Sequence, residues 1–212
     1  DAQRVVASTD LLLYVLGENQ TAAPPRRDPN VRSDTTPIPD KGQIKNAALS
    51  PDDGSGVREV ILVGTTTTAG PRVWTVELDD RGFGPVRTAT TPPLSNDSRL
   101  KAVAFHDDGH AIVVGTDGMV LIRQAGATRF EMAMGPPVDL SLDVVLTTGD
   151  AARPHLVVAN SGRVETELWQ GNAFTGRWDR VAKLTARSFK RLGRGPDGGL
   201  WAVGDDAEVW RD

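Results

Sequence analysis

The sequence predicts an all-β chain built from repeated four-stranded antiparallel units. Three observations carry that prediction. Five short apolar runs end on a small residue: Leu13 to Gly17, Val60 to Gly64, Ala111 to Gly115, His155 to Ala159 and Leu200 to Gly204. Their last residues are spaced by 47, 51, 44 and 45 positions, a period that marks a repeat architecture. Turn signals rich in Asp, Gly and Pro separate the runs, and no segment sustains the 3.6-residue period of an amphipathic helix.

The first unit opens with two strands, Arg4 to Ser8 and Leu11 to Gly17, joined by the short Thr9-Asp10 link. Residues 18–43 follow as a mobile loop, with Pro24-Pro25-Arg26-Arg27-Asp28-Pro29 at its centre. The second unit has strands at Ile44 to Ser50, Glu59 to Thr65, Arg72 to Leu78 and Val86 to Thr90.

The third unit is the clearest. Leu100 to Phe105 alternates apolar and small residues as a strand does. His106-Asp107-Asp108-Gly109 is a turn, in which Asp hydrogen-bonds locally and Gly supplies positive φ. Ala111 to Gly115 reads as a buried central strand, and Thr116-Asp117-Gly118 as a tight hairpin. Met119 to Arg123 and Arg129 to Met134 complete the set. The fourth unit places strands at Leu142 to Thr148, His155 to Asn160, Arg163 to Trp169 and Trp178 to Leu184. The fifth shows three, at Phe189 to Leu192, Leu200 to Gly204 and Glu208 to Arg211.

Four short strands in each 40 to 50 residues is the pattern of a β-propeller blade. A sandwich also uses short strands, but it does not require self-similarity at a fixed period. The expected architecture is one propeller domain over residues 1–212, with about five blades near 1–40, 43–92, 100–135, 141–185 and 188–212. Two closures stay open. Arg4 to Ser8 completes the last blade, or it begins the first blade of a section of a larger propeller.

Phe105 to Gly118 and Gly195 to Asp205 resemble the Asp-Gly turn and Val-Gly strand end of bacterial β-propeller repeat proteins, lyase-like and photosystem-assembly-like families among them. That resemblance implies the propeller fold. The Trp-Asp pair of WD40 blades is missing. Ser50-Pro51-Asp52-Asp53-Gly54 is similar to the start of a sialidase-type Asp-box, without the Thr-Trp that completes it.

Composition narrows the function. The net charge of −4 argues against nucleic-acid binding, which needs a basic face. No apolar stretch reaches the roughly 20 residues of a membrane span. Cysteine is absent, which excludes disulfides and thiol chemistry. Arg outnumbers Lys, a bias common in GC-rich bacterial genomes. An extracytoplasmic location is expected over a cytoplasmic one.

The links between second and third strands converge on one face of a propeller. They offer Asn19, Thr66, Asp117, Ser161 and Asp205 as candidate ligand-binding residues for a glycan or for calcium, which prefers oxygen. They also suit turn geometry. Trp169 and Trp178 flank a loop containing Phe174, and the three form a candidate aromatic patch for a protein partner. His106, His110 and His155 read as ordinary exposed turn residues, with no metal site. Adjacent carboxylates such as Asp52-Asp53 and Asp107-Asp108 point apart in turns, unlike the facing pair a glycosidase needs. The expected role is a non-catalytic scaffold for protein–protein interaction within a larger assembly, without a required cofactor. A lectin-like propeller is the alternative, and a hydrolase or lyase comes third.

Overall fold

A computed structural model describes residues 5–9, 12–16, 43–67, 70–79, 82–148, 151–160, 165–185, 189–194, 199–204 and 209–211. Every regular element among them is a strand. No helix is long and apolar enough to cross a membrane.

The strands form five antiparallel sheets in chain order. The first pairs β1 (Val5–Thr9) with β2 (Leu12–Leu16). The second runs β3 (Gln43–Leu49), β4 (Arg58–Thr66), β5 (Gly70–Asp79). Its outer edge is split between β6 (Gly82–Phe83) and β7 (Arg87–Thr88), which both pair with β5. One strand was expected at Val86 to Thr90; Pro85, which has no N–H to donate, separates the two pieces. The third sheet runs β8 (Leu100–Phe105), β9 (Ala111–Gly115), β10 (Val120–Arg123), β11 (Glu131–Ala133). The fourth runs β12 (Ser141–Thr147), β13 (His155–Asn160), β14 (Glu165–Asn172), β15 (Arg177–Thr185). The fifth holds β16 (Phe189–Arg194), β17 (Leu200–Gly204), β18 (Val209–Arg211).

The sheets pack through their first strands: β1 on β3, β3 on β8, β8 on β12, β12 on β16. The core is therefore a row of layers between sheets. Ile61, Val63 and Val73 of the second sheet meet Leu100, Val113 and Phe130 of the third. Ile112, Val114 and Val120 of the third meet Leu142, Val157 and Trp169 of the fourth. Val144, Val158 and Leu168 of the fourth meet Phe189 and Ala202 of the fifth. Successive residues of β9 thus enter different layers, and both faces of the strand are dry. A strand buried on both faces reads as a continuous apolar run rather than an alternating one. That accounts for the runs at 60–63, 111–114 and 155–159.

The small residue that ends each run has an equally local cause. In each of the last four sheets the first strand carries a β-bulge at the same register position. Ile44, Leu100, Leu142 and Phe189 sit opposite Gly64, Gly115, Ala159 and Gly204, and the next residue is extra. Those extra residues are Lys45, Lys101, Asp143 and Lys190. The first strand folds tightly over the end of the second there. A Cβ on Gly64 would overlap the Gln43 carbonyl oxygen, and one on Gly115 would overlap that of Arg99. Lys101 and Asp143, bulged residues of neighbouring sheets, form an ion pair at 3.7 Å.

Candidate ligand site at the junction of the third and fourth sheets

The turn after β8 builds the centre of the site. His106 N–H donates to the His110 carbonyl at 2.9 Å, Gly109 N–H donates to the His106 carbonyl at 2.9 Å, and Gly109 adopts φ +86°. Asp108 Oδ1 accepts the His110 N–H at 3.1 Å. This closure puts the His106 and His110 rings on one side of the turn, stacked at 4.6 Å between centroids. Asp108 Oδ1 also lies 2.5 Å from His110 Nδ1 and 3.2 Å from His106 Nδ1.

The fourth sheet supplies the other half. Thr147 Oγ1 donates to the Phe105 carbonyl at 2.7 Å, which holds β12 beside β8. His155, paired with Thr147 across β12 and β13, is thereby carried against His110. Their Nε2 atoms are 3.4 Å apart. Phe174 comes from the β14–β15 turn, which Asn172 Oδ1 shapes by accepting the Phe174 N–H at 2.9 Å. The Phe174 ring meets His110 edge-on at 4.8 Å, and Trp178 lies 6.2 Å from His155. Trp178 Nε1 donates to the Met134 carbonyl at 2.8 Å.

The hydrogen bonds assign the tautomers. Ala173 N–H donates to His155 Nδ1 at 3.2 Å, so that nitrogen carries no proton. Neutral His155 is therefore protonated on Nε2 and donates to His110 Nε2. His110 in turn carries its proton on Nδ1 and donates to Asp108. Burial keeps both rings neutral. It pushes the His155 pKa down to about 3, with His110 and His106 adding to the effect. It also lowers His110, against a partial pull upward from Asp108. Burial pushes the Asp108 carboxyl up, but the His110 backbone N–H and the two imidazoles outweigh it, and its pKa falls below the ordinary range. Both nitrogens of His110 and of His155 are thus committed. Neither imidazole therefore has a free ring nitrogen left to take up a proton.

Asp108 is 62% exposed and faces the other way into a cleft of about 830 Å³ between the second and third sheets. Its walls are the opposed turns at 50–55 and 107–109, with Arg87 and Thr128. Arg123 and Glu59, linked across the two sheets, also line it.

The sequence-based expectations fall into place unevenly. Thr66 is buried at the end of β4, and Asp117 occupies the β9–β10 turn with φ +58°. Asn19, Ser161 and Asp205 lie outside the described residues. Trp169 is a core residue, 9% exposed, with its Nε1 bonded to Glu167 at 2.9 Å. It is therefore absent from the expected aromatic patch; Phe174 and Trp178 are half-buried and pack around His155. The histidines are corrected too. His155 is 0% and His110 6% exposed, because the β12–β8 contact folds one unit's turn onto the next unit's strand. A signal was present: His110 and His155 are 45 residues apart, one repeat period, each at the start of a second strand. Asp108 does more than shape its turn, since it joins both imidazoles.

No family model matches the chain, and no curated protein does. Solved structures do. The chain aligns over 98% of its length with the extracellular domain of a candidate one-component system from B. thetaiotaomicron, at 16% identity and a TM-score of 0.57. It aligns over 100% with a Bacteroides caccae protein of unknown function, at 9% identity and 0.56. It aligns over 97% with a candidate 6-phosphogluconolactonase from Bacteroides uniformis, at 12% identity and 0.54. The chain spans 26%, 73% and 64% of those three chains. At these identities the likeness is one of fold: an all-β chain of successive antiparallel sheets.

Proposed function

We propose that this chain is a section of a β-propeller that acts as a non-catalytic binding module, presenting the cleft between its second and third sheets to a protein partner outside the cytoplasm. The propeller reading draws on the consecutive packing of first strands and on the bulge that recurs at one register position. The extracytoplasmic reading draws on the extracellular neighbour.

The cleft carries the binding reading. It is lined by charges of both signs, Asp52, Asp53 and Asp107 together with Arg58 and Arg87. An extended polypeptide with side chains of both signs complements such a surface, and charges at a rim set partner choice and approach. The committed nitrogens of His110 and His155 favour binding over hydrolysis. Carbohydrate recognition is the second reading, supported by Phe174 and Trp178, whose rings are partly covered.

The test is quantitative co-purification of the full-length parent protein, tagged at its chromosomal locus. Native protein is compared with Arg87→Glu and Asp107→Lys, and with Val181→Lys on the distant β15 as control. A stoichiometric protein that is lost from both cleft variants and kept by the control supports the proposal. Equal recovery from all four sinks it. Saturable binding on a glycan array with no protein partner moves the assignment to carbohydrate.

A further inference from the structure

We propose that His106, Asp108 and His110 form a binding site for a first-row transition cation of the Zn²⁺ class. One ring nitrogen of each histidine and an Asp108 carboxylate oxygen lie within 4.8 Å of one another. Adjacent ligands of a tetrahedral zinc ion stand about 3.4 Å apart when its bonds are about 2.1 Å long. The His106 Nδ1-to-oxygen separation, 3.2 Å, sits close to that spacing; the His110 one, 2.5 Å, is a hydrogen bond that must open by about 0.9 Å on binding.

A second observation bears on His106. Its Nδ1 lies 3.2 Å from the Asp108 carboxylate and 3.4 Å from the Asp108 backbone nitrogen. Its Nε2 is buried and has no hydrogen-bond partner among the described residues, so the polar contacts of the ring converge on Nδ1. A cation there is held by Nδ1 and the carboxylate together, with the ring proton on Nε2.

Two imidazoles and one carboxylate suit zinc, copper, nickel or cobalt, and not calcium, which takes oxygen ligands. Three protein ligands leave a fourth position for water or an incoming group, and the exposure of Asp108 opens that position toward the cleft.

Binding has a traceable consequence for protons. The Nδ1 of His110 must give up its proton to ligate. The ring stays neutral by taking the Nε2 proton of His155, and His155 is reprotonated on Nδ1 by the displaced proton. The number of protons on the pair is unchanged. The cost is the Ala173 N–H, which loses its acceptor although Ala173 touches no metal.

The experiment uses chelator-stripped protein titrated with Co²⁺ and then Zn²⁺, read by visible absorption and by amide NMR. The expected result is saturation at one ion per chain, tetrahedral cobalt bands that zinc removes, and a shifted Ala173 amide. Calcium should produce neither change. His106→Asn and Asp108→Asn, which replace the two less buried ligands, should weaken Zn²⁺ binding at least about a hundredfold, beyond the effect of losing an outer-shell partner. Their thermal unfolding in chelator checks that they are folded. No saturation below millimolar Zn²⁺ overturns the proposal, as does unchanged affinity in both folded variants.

Discussion

Arg123, on β10 of the third sheet, grips the carboxylate of Glu59, on β4 of the second, with both terminal nitrogens. Arg123 is only 5% exposed, and its guanidinium lies over the Phe105 and Phe130 rings at 5.8 and 5.4 Å. Its charge is thus taken out of water and answered by one partner from another sheet. Removing that partner leaves a buried cation uncompensated. Glu59→Gln is expected to lower unfolding free energy by about 3 kcal/mol, the low end for a buried pair because Glu59 is partly exposed. The double variant Glu59→Leu with Arg123→Met should recover most of the loss. Urea unfolding of the two measures it; a double variant no better than the single refutes the account.

The glycines opposite the bulges make a second test. Gly115→Ala drives a Cβ into the Arg99 carbonyl oxygen, a backbone atom that moves only with its strand. A loss of about 2 to 3 kcal/mol is expected, as for other overpacked sites. Ala159 holds the equivalent place opposite Leu142 and already tolerates a Cβ. Ala159→Gly should therefore cost only about 1 kcal/mol, chiefly from strand flexibility and a lost buried methyl. Equal losses at the two positions would show that the close approach at Gly115 is not what restricts it.

His155 predicts an acid-labile junction in metal-free protein. Its neighbours that titrate are His106, Asp108 and His110, all on the facing turn. Unfolded, its imidazole titrates near 6.5, while burial holds it near 3 in the fold. The unfolded chain therefore takes up the proton first as pH falls. Stability present above pH 6.5 is lost between 6.5 and about 3, at up to about 1.4 kcal/mol per pH unit from this side chain. His110, lowered in the same direction, adds to the slope, and Asp108 adds its own loss only below its ordinary 3.8. Denaturant unfolding in excess chelator at pH 7 and pH 5 should show a larger drop for native protein than for His155→Leu. Parallel drops would remove His155 as the cause.

The sequence carried the strands and withheld the site, for a physical reason. Apolar runs, turn glycines and their period are local, and each maps onto a strand buried on both faces. His110 beside His155 is a tertiary fact. It depends on β12 packing against β8, which no turn or run encodes. The repeat did hold a clue, since residues one period apart sit at equivalent places in neighbouring sheets. Asp108 was legible as a turn former and illegible as a bridge, because its contact with His106 and His110 needs the closed turn. The bulges were illegible as well: Lys45, Lys101 and Lys190 are lysines like many exposed residues, Asp143 is not, and what the four have in common is a register.

Trp169 shows how the two kinds of information separate. Its sequence position beside a polar loop made it a candidate contact residue. Its strand register turns it inward, against Ile112, Val114 and Leu142, while Glu167 satisfies its N–H. Trp169→Ala should then act through the fold. A loss of about 3 to 5 kcal/mol is expected, from lost burial and an unfilled cavity. Arg180, whose guanidinium lies 6.0 Å from the ring, loses its platform as well. The contrast is Val181→Lys on the exposed face of the neighbouring strand, which should cost under about 0.5 kcal/mol. Thermal unfolding ranks the two. A Trp169→Ala protein as stable as Val181→Lys, with a weakened partner complex, would return Trp169 to the surface and overturn the core assignment.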